Sequence, residues 1–226
     1  MSQPYSLYLY GSAARGDAVA HSDVDILALF NLNVPTEKCQ IVIPDEIKQL
    51  GDCSDISLYS FSRIKQMYET GHLFAWHLHN EARVIGTEND SLSLLGKPNE
   101  YKGFNEDTGS LLELLKGIPE GLNSCPKNAV YEAGLVYVCV RNIAMSASYY
   151  APSGLTFSAH APYCLSYNDN PFPLARNEYD MLRYARLSGT RGLDAPEINI
   201  DALQSDLIEL LNWCKCEVAR VNRRIQ

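Results

Sequence analysis

Two acids one residue apart, Asp23 and Asp25, follow a Gly-Ser pair, Gly11 and Ser12, with ten residues between Ser12 and Asp23. Those residue types can do chemistry together. Divalent cations such as Mg²⁺ take hard oxygen ligands, usually a few carboxylates plus phosphate oxygens. Two acids on one face of a strand repel each other unless a cation sits between them. Glycine lets backbone approach a phosphate closely. A serine hydroxyl and N–H at a helix start form an anion site. Together these parts can hold a polyphosphate and the metal that neutralises it. A third acid, Asp55, opens another β-rich stretch, with Asp52 a nearby competitor for the same role. Asp55 is preferred because Ile56, Leu58 and Tyr59 continue as a strand.

The surrounding elements must bring these residues together. Residues 5–10, YSLYLY, read as a strand ending at Gly11. Residues 12–16 read as a short helix with Ser12 near its N-cap. Residues 23–32 read as a second strand, with Asp23, Asp25 and Leu27 on one face and Val24, Ile26 and Ala28 on the other. A helix is expected to start near Pro44 and end at Gly51, followed by a third strand over 55–61. Helices over 62–68 and 71–83 and a short strand over 82–85 complete this part. Residues 88–106 show no period, and the domain boundary is placed there: residues 1–100, then residues 101–226.

The second part reads as all-helical. Leucines over 111–115 precede Gly117 and Pro119, which predict a helix stop. Residues 128–150 predict a long apolar central helix. Residues 174–187 predict another, closed by Gly189. Residues 201–224 carry a clean apolar stripe, with Asp201 and Gln204 spaced as a capping box. The fold class is therefore α+β: a sheet-containing domain followed by an all-α helical bundle.

Nucleotidyl and phosphoryl transfer need the triphosphate held and charge neutralised at the attacking and leaving oxygens, more than they need covalent help. The run GSAARGDAVAHSDVDILAL, with a later acid on a strand, resembles the DNA polymerase β-type nucleotidyltransferase superfamily. In particular it resembles the small "minimal" and the antibiotic nucleotidyltransferases, over about the first 90 residues. The run LFAWHLHNEARVI, from Leu73 to Ile85, is similar to the helix and strand that follow the third carboxylate in small members.

The resemblance implies a short mixed sheet with helices on one side. It implies two Mg²⁺ ions held by Asp23 and Asp25 with Asp55 completing the site, and Gly11 and Ser12 on the β- and γ-phosphates. Asp55 is also the family's position for help in deprotonating the attacking hydroxyl. Arg15 is placed with the nucleotide-binding residues, with a salt bridge as its equal alternative. In similar antibiotic enzymes a carboxylate of the helical region is the general base; Glu132 is the first candidate here and Glu178 the second. The triphosphate's cationic contact stays open among Lys65, Lys127 and Arg141. His72, His77 and His79 lack metal-site spacing and are expected to pack or to cover a helix surface.

The expected reaction moves a nucleoside monophosphate from a nucleoside triphosphate, ATP first, to a hydroxyl of a small molecule or protein. The alternatives are a partner-binding nucleotidyltransferase of a toxin–antitoxin or defence system and an inactive nucleotide-binding module. Composition narrows the partners. Among 226 residues the net charge is −8, and no basic run occurs before Arg220, Arg223 and Arg224. Long nucleic acid is therefore not expected, because phosphate neutralisation supplies most of such binding. An acidic chain does suit a metal-held nucleotide and a cationic acceptor. Seven scattered cysteines without a CxxC pair, and no signal-like or membrane-length apolar run, fit a cytoplasmic protein. A homo-oligomer or a toxin partner remains compatible with the helical half.

Overall fold

A computed structural model describes residues 4–18, 23–31, 41–53, 56–86, 90–165 and 170–225. The chain divides into two compact units, Met1–Gly103 and Phe104–Gln226. Among the described residues, no helix is long and apolar enough to cross a membrane.

The first unit is built on four strands: β1 Tyr5–Tyr10, β2 Asp25–Phe30, β3 Ile56–Ser60 and β4 Arg83–Ile85, in the order β3-β2-β1-β4. β1 runs antiparallel to β2 and to β4, while β2 and β3 run parallel, so the sheet is mixed. The register opposes Tyr10 to Asp25 on one side of β2 and Ile26 to Ile56 on the other. The end of β1 and the starts of β2 and β3 therefore share one edge of the sheet.

Side-chain alternation sorts the central strands into two apolar layers. Tyr8, Tyr10, Leu27 and Leu29 pack with Ile64, Met67 and Tyr68 of α3 (Phe61–Glu69) and with Ala75 and Leu78 of α4 (Leu73–Glu81). The opposite face is covered too. Leu7, Leu9, Ile26 and Ala28 cluster with Ala14 of α1 (Gly11–Arg15) and Ile47 of α2 (Asp45–Lys48). Helices on one side only, as the resemblance implied, is thus too simple a picture.

The second unit is helical: α5 Phe104–Ser124, α6 Ala129–Ser148, α7 Ala161–Cys164, α8 Arg176–Arg191 and α9 Ile200–Ile225. α6 is the axis. Val136, Cys139, Val140, Ile143 and Ala144 on it are fully buried. Gly134 lets α6 approach α8 so closely that a Cβ there would come within 2.9 Å of the Arg186 Cα.

Three helix ends depart from expectation. α5 runs through Gly117 and Pro119 to Ser124, because Ile118 and Leu122 are buried and their packing outweighs the lost Pro119 hydrogen bond. α8 continues past Gly189 to end at Gly192, whose left-handed conformation forms the cap. Asn199, not Asp201, caps α9: its Oδ1 accepts from Ala202 N–H at 3.1 Å. Gln204 instead donates to Asn123 at 3.0 Å. The six described cysteines are free, and burial pushes the Cys139 thiol up to about 11.

Candidate active site

At the shared edge of the sheet in the first unit Asp25 meets Gly11, with Asp23 two residues before Asp25 in sequence. β1 ends at Tyr10, and Gly11 turns the chain into α1 with φ +71°, a conformation that favours glycine. The absent side chain matters as much. A Cβ on Gly11 would overlap Oδ2 of Asp25 and come within 2.9 Å of its Cγ. The Asp25 carboxylate therefore lies directly against the bare Gly11 backbone. Asp25 opens β2 on the face that carries Leu27 and Leu29, and Asp23 precedes it by two residues.

Ser12 lies inside α1 rather than at its N-cap, which Tyr10 occupies with no side-chain hydrogen bond. The Ser12 carbonyl accepts from Gly16 and Asp17 at 3.0 and 3.1 Å, closing the short helix. Asp55 lies outside the described residues. Its competitor Asp52 is exposed, and its carbonyl accepts from Val24 N–H at 3.1 Å, beside the two acids. Among the described residues, no group of three His, Cys, Asp or Glu side chains could hold a metal. Asp25 offers a hard-oxygen donor next to a turn without a side chain, a donor type that suits Mg²⁺ bound jointly with phosphate.

Arg15 is paired. Its Nη1 donates to Glu81 Oε2 at 2.6 Å and its Nε meets Asp17 at 3.2 Å. Burial works against the Arg15 charge, but Glu81 and Asp17 more than offset it, so the pKa is raised. His77 reaches the same Glu81 oxygen at 2.9 Å and packs edge-on against Tyr10, 5.4 Å between rings. The Tyr10 hydroxyl lies 3.2 Å from Ser57 Oγ across the sheet. The other two histidines have local roles: His72 Nδ1 caps α4 by accepting from Phe74 N–H at 3.1 Å, and His79 packs edge-on against Trp76.

The remaining candidates lie elsewhere. Glu132, in the first turn of α6, is buried and points at α5; a Cβ on Gly121 would come within 2.6 Å of its Oε1. Burial raises its pKa. Glu178 is occupied at the start of α8, accepting from Ala175 N–H at 2.8 Å. Arg141 donates to the carbonyls of Phe157 and Ser158 at 2.9 and 3.2 Å, pinning that loop to α6. Lys65 is half exposed and 3.8 Å from Glu69, and Lys127 lies in a short 3₁₀ turn, 126–128.

Sequence reasoning missed Glu81 and Tyr10. The available signal was the His77–Glu81 spacing of four, which puts both on one helix face. What it lacked was the cation from α1 that they meet.

Residues 1–76 match the family model described as "Nucleotidyltransferase domain". The first unit carries a nucleotidyltransferase domain. No curated protein matches the chain significantly. The nucleotidyltransferase domain, of the polymerase β-like type, spans β1 to the start of α4 and therefore holds Gly11, Ser12, Asp23 and Asp25. The family of that domain takes a nucleoside monophosphate from a nucleoside triphosphate and typically uses a divalent metal. α5 to α9 lie beyond the match.

Proposed function

We propose that this enzyme transfers a nucleoside monophosphate, from ATP first among the triphosphates, to a hydroxyl of a small molecule or protein. The acceptor oxygen bonds to the α-phosphorus, the bond to the β-phosphate oxygen breaks, and pyrophosphate leaves. Asp23, Asp25 and Asp55 are the residues that would hold two Mg²⁺ ions. Bound there, the metal would neutralise charge on the triphosphate and the leaving pyrophosphate. Gly11 and Ser12 hold the β- and γ-phosphates, with the Ser12 hydroxyl as donor. Asp55 orients the acceptor hydroxyl and helps remove its proton, and Glu132 is the candidate base of the helical unit. That unit, residues 101–226 in this reading, binds the acceptor.

The Gly11–Asp25 contact carries the reading. A phosphate turn and a metal-ligating acid must lie side by side to grip one triphosphate, and a bare glycine face under a carboxylate supports that. The net charge of −8 favours a cationic acceptor over a nucleic acid. The test is to incubate the protein with each α-labelled triphosphate, Mg²⁺ and a cell lysate, and to ask what becomes labelled. Label is expected on a small molecule or a protein, and Asp25→Asn is expected to abolish it while circular dichroism stays unchanged. Undiminished labelling by Asp25→Asn overturns the assignment.

A further inference from the structure

α1 has only five residues and no side-chain cap at its start, so it is not stable alone. Tertiary contacts must hold it, and with it the Gly11–Ser12 turn. Two of its residues supply them. Ala14 is buried among the residues of one sheet face. Arg15 reaches out of its last turn to α4.

At α4, one oxygen gathers two donors from two elements. Glu81 Oε2 accepts from Arg15 Nη1 at 2.6 Å and stands 2.9 Å from His77 Nε2. An ionised carboxylate only accepts, so His77 Nε2 carries the hydrogen. The Glu81 side chain is 10% exposed, where charge-assisted hydrogen bonds are strong and an unpaired partner is costly. The His77 ring then packs edge-on to Tyr10, the residue before Gly11 and the register partner of Asp25. Glu81 thus touches both ends of the turn: through Arg15 behind it and through His77 and Tyr10 in front.

We propose that Glu81 is a positioning residue for the nucleotide: its carboxylate locks α1 to α4 and so fixes the Gly11–Ser12 turn against Asp25. This rests on reading Gly11 and Ser12 as the triphosphate turn. Arg15 serves the site through Glu81, not by touching phosphate.

Two measurements on Glu81→Gln test it. The first needs no nucleotide. Hydrogen exchange of the full chain is expected to speed up over residues 10–16 while residues 26–30 stay protected. The second is steady-state transfer. KM for the triphosphate is expected to rise about tenfold with kcat changed less than about threefold. A merely structural role would lower kcat, as active enzyme is lost, and leave KM alone. Arg15→Gln is expected to match Glu81→Gln, and the double variant to be no worse than either. Unchanged exchange over 10–16, or an unchanged KM, overturns the lock. A KM effect of Arg15→Gln far above that of Glu81→Gln overturns the indirect role of Arg15. If the unaltered protein neither binds nor transfers any nucleotide, the proposed function falls and this proposal with it; if it does both, failure of the Glu81 variant counts against the lock alone.

Discussion

Each unit presses a carboxylate against a glycine, Asp25 against Gly11 in the sheet unit and Glu132 against Gly121 in the helical one. The contacts look alike and differ in kind. Gly11 sits at a strand-to-helix turn with positive φ, and its carboxylate belongs to a short side chain fixed at the start of a strand. Gly121 sits inside α5 with ordinary helical geometry, and Glu132 is a long side chain that can swing away. The first contact has a second acid, Asp23, two residues before it in sequence and ahead of the strand. The second has an apolar helix interface. A carboxylate held against a bare backbone at a strand end is the arrangement on which the proposed ligand site rests. The acid between helices is a packing contact as it stands, and the role of base proposed for Glu132 requires it to swing away from α5.

Breaking that contrast begins with Gly11→Ala. It meets both the Asp25 carboxylate and a forbidden backbone conformation, so nucleotidyl transfer is expected to fall at least about 100-fold. Its stability is expected to drop by about 2 kcal/mol, read from urea denaturation. A Gly11→Ala enzyme with near-normal turnover would erase the distinction.

The next largest effect belongs to a buried acid of the helical unit. Glu217 is fully buried on α9, where Oε1 accepts from Asn170 Nδ2 at 2.6 Å and Oε2 lies 3.4 Å from Arg220 Nε. Removing one partner from such a network leaves the others buried with polar groups unmatched. Glu217→Ala is expected to cost about 3 kcal/mol in denaturant titration. Triphosphate KM should stay unchanged, which sets it apart from the acids of the sheet unit.

Arg141→Met sharpens the comparison further. Its two bonds to backbone carbonyls make it a clamp on the 157–158 loop. A stability loss of about 1–2 kcal/mol is expected. A large rise in triphosphate KM would instead return Arg141 to the phosphate.

The smallest effect is a pH signature. Burial raises the Glu132 pKa in the folded protein. The folded state then holds the proton more tightly than the unfolded one. Stability from neutral Glu132 is full below the ordinary glutamate range and is lost as pH rises through the raised value. Glu132→Gln is therefore expected to flatten the fall of melting temperature as pH rises above the ordinary glutamate range, and to melt higher than the unaltered protein once Glu132 is ionised. Identical pH profiles would place the carboxylate in water.

The site end of the sheet was legible because strand alternation is strict. With residues 23–32 read as a strand, alternation sorts its side chains onto two faces, and β2 does carry Leu27 and Leu29 toward one layer and Ile26 and Ala28 toward the other, although it starts only at Asp25 and leaves Asp23 ahead of the strand. Helix ends were less legible. Gly117, Pro119 and Gly189 are local stop signals, and each lies inside a helix whose buried side chains hold it together. The Asn199 cap hid behind the equally plausible Asp201. The Glu81 network was invisible for a different reason. Arg15 and Glu81 are 66 positions apart, and only the fold of α1 against α4 brings them together. The Glu217 network is hidden similarly, because an acid on an amphipathic stripe reads as the edge of the apolar face until the neighbouring loop covers it.

The direction of β1 has a practical consequence. It enters the sheet at Tyr5, opposite Phe30, and leaves at Tyr10 beside Asp25. Five strand steps separate those ends by about 17 Å. A fusion tag, fluorophore or surface tether attached ahead of Tyr5 therefore hangs from the rim remote from the acids. Bench reagents can be mounted there without crowding the pole where substrates would dock.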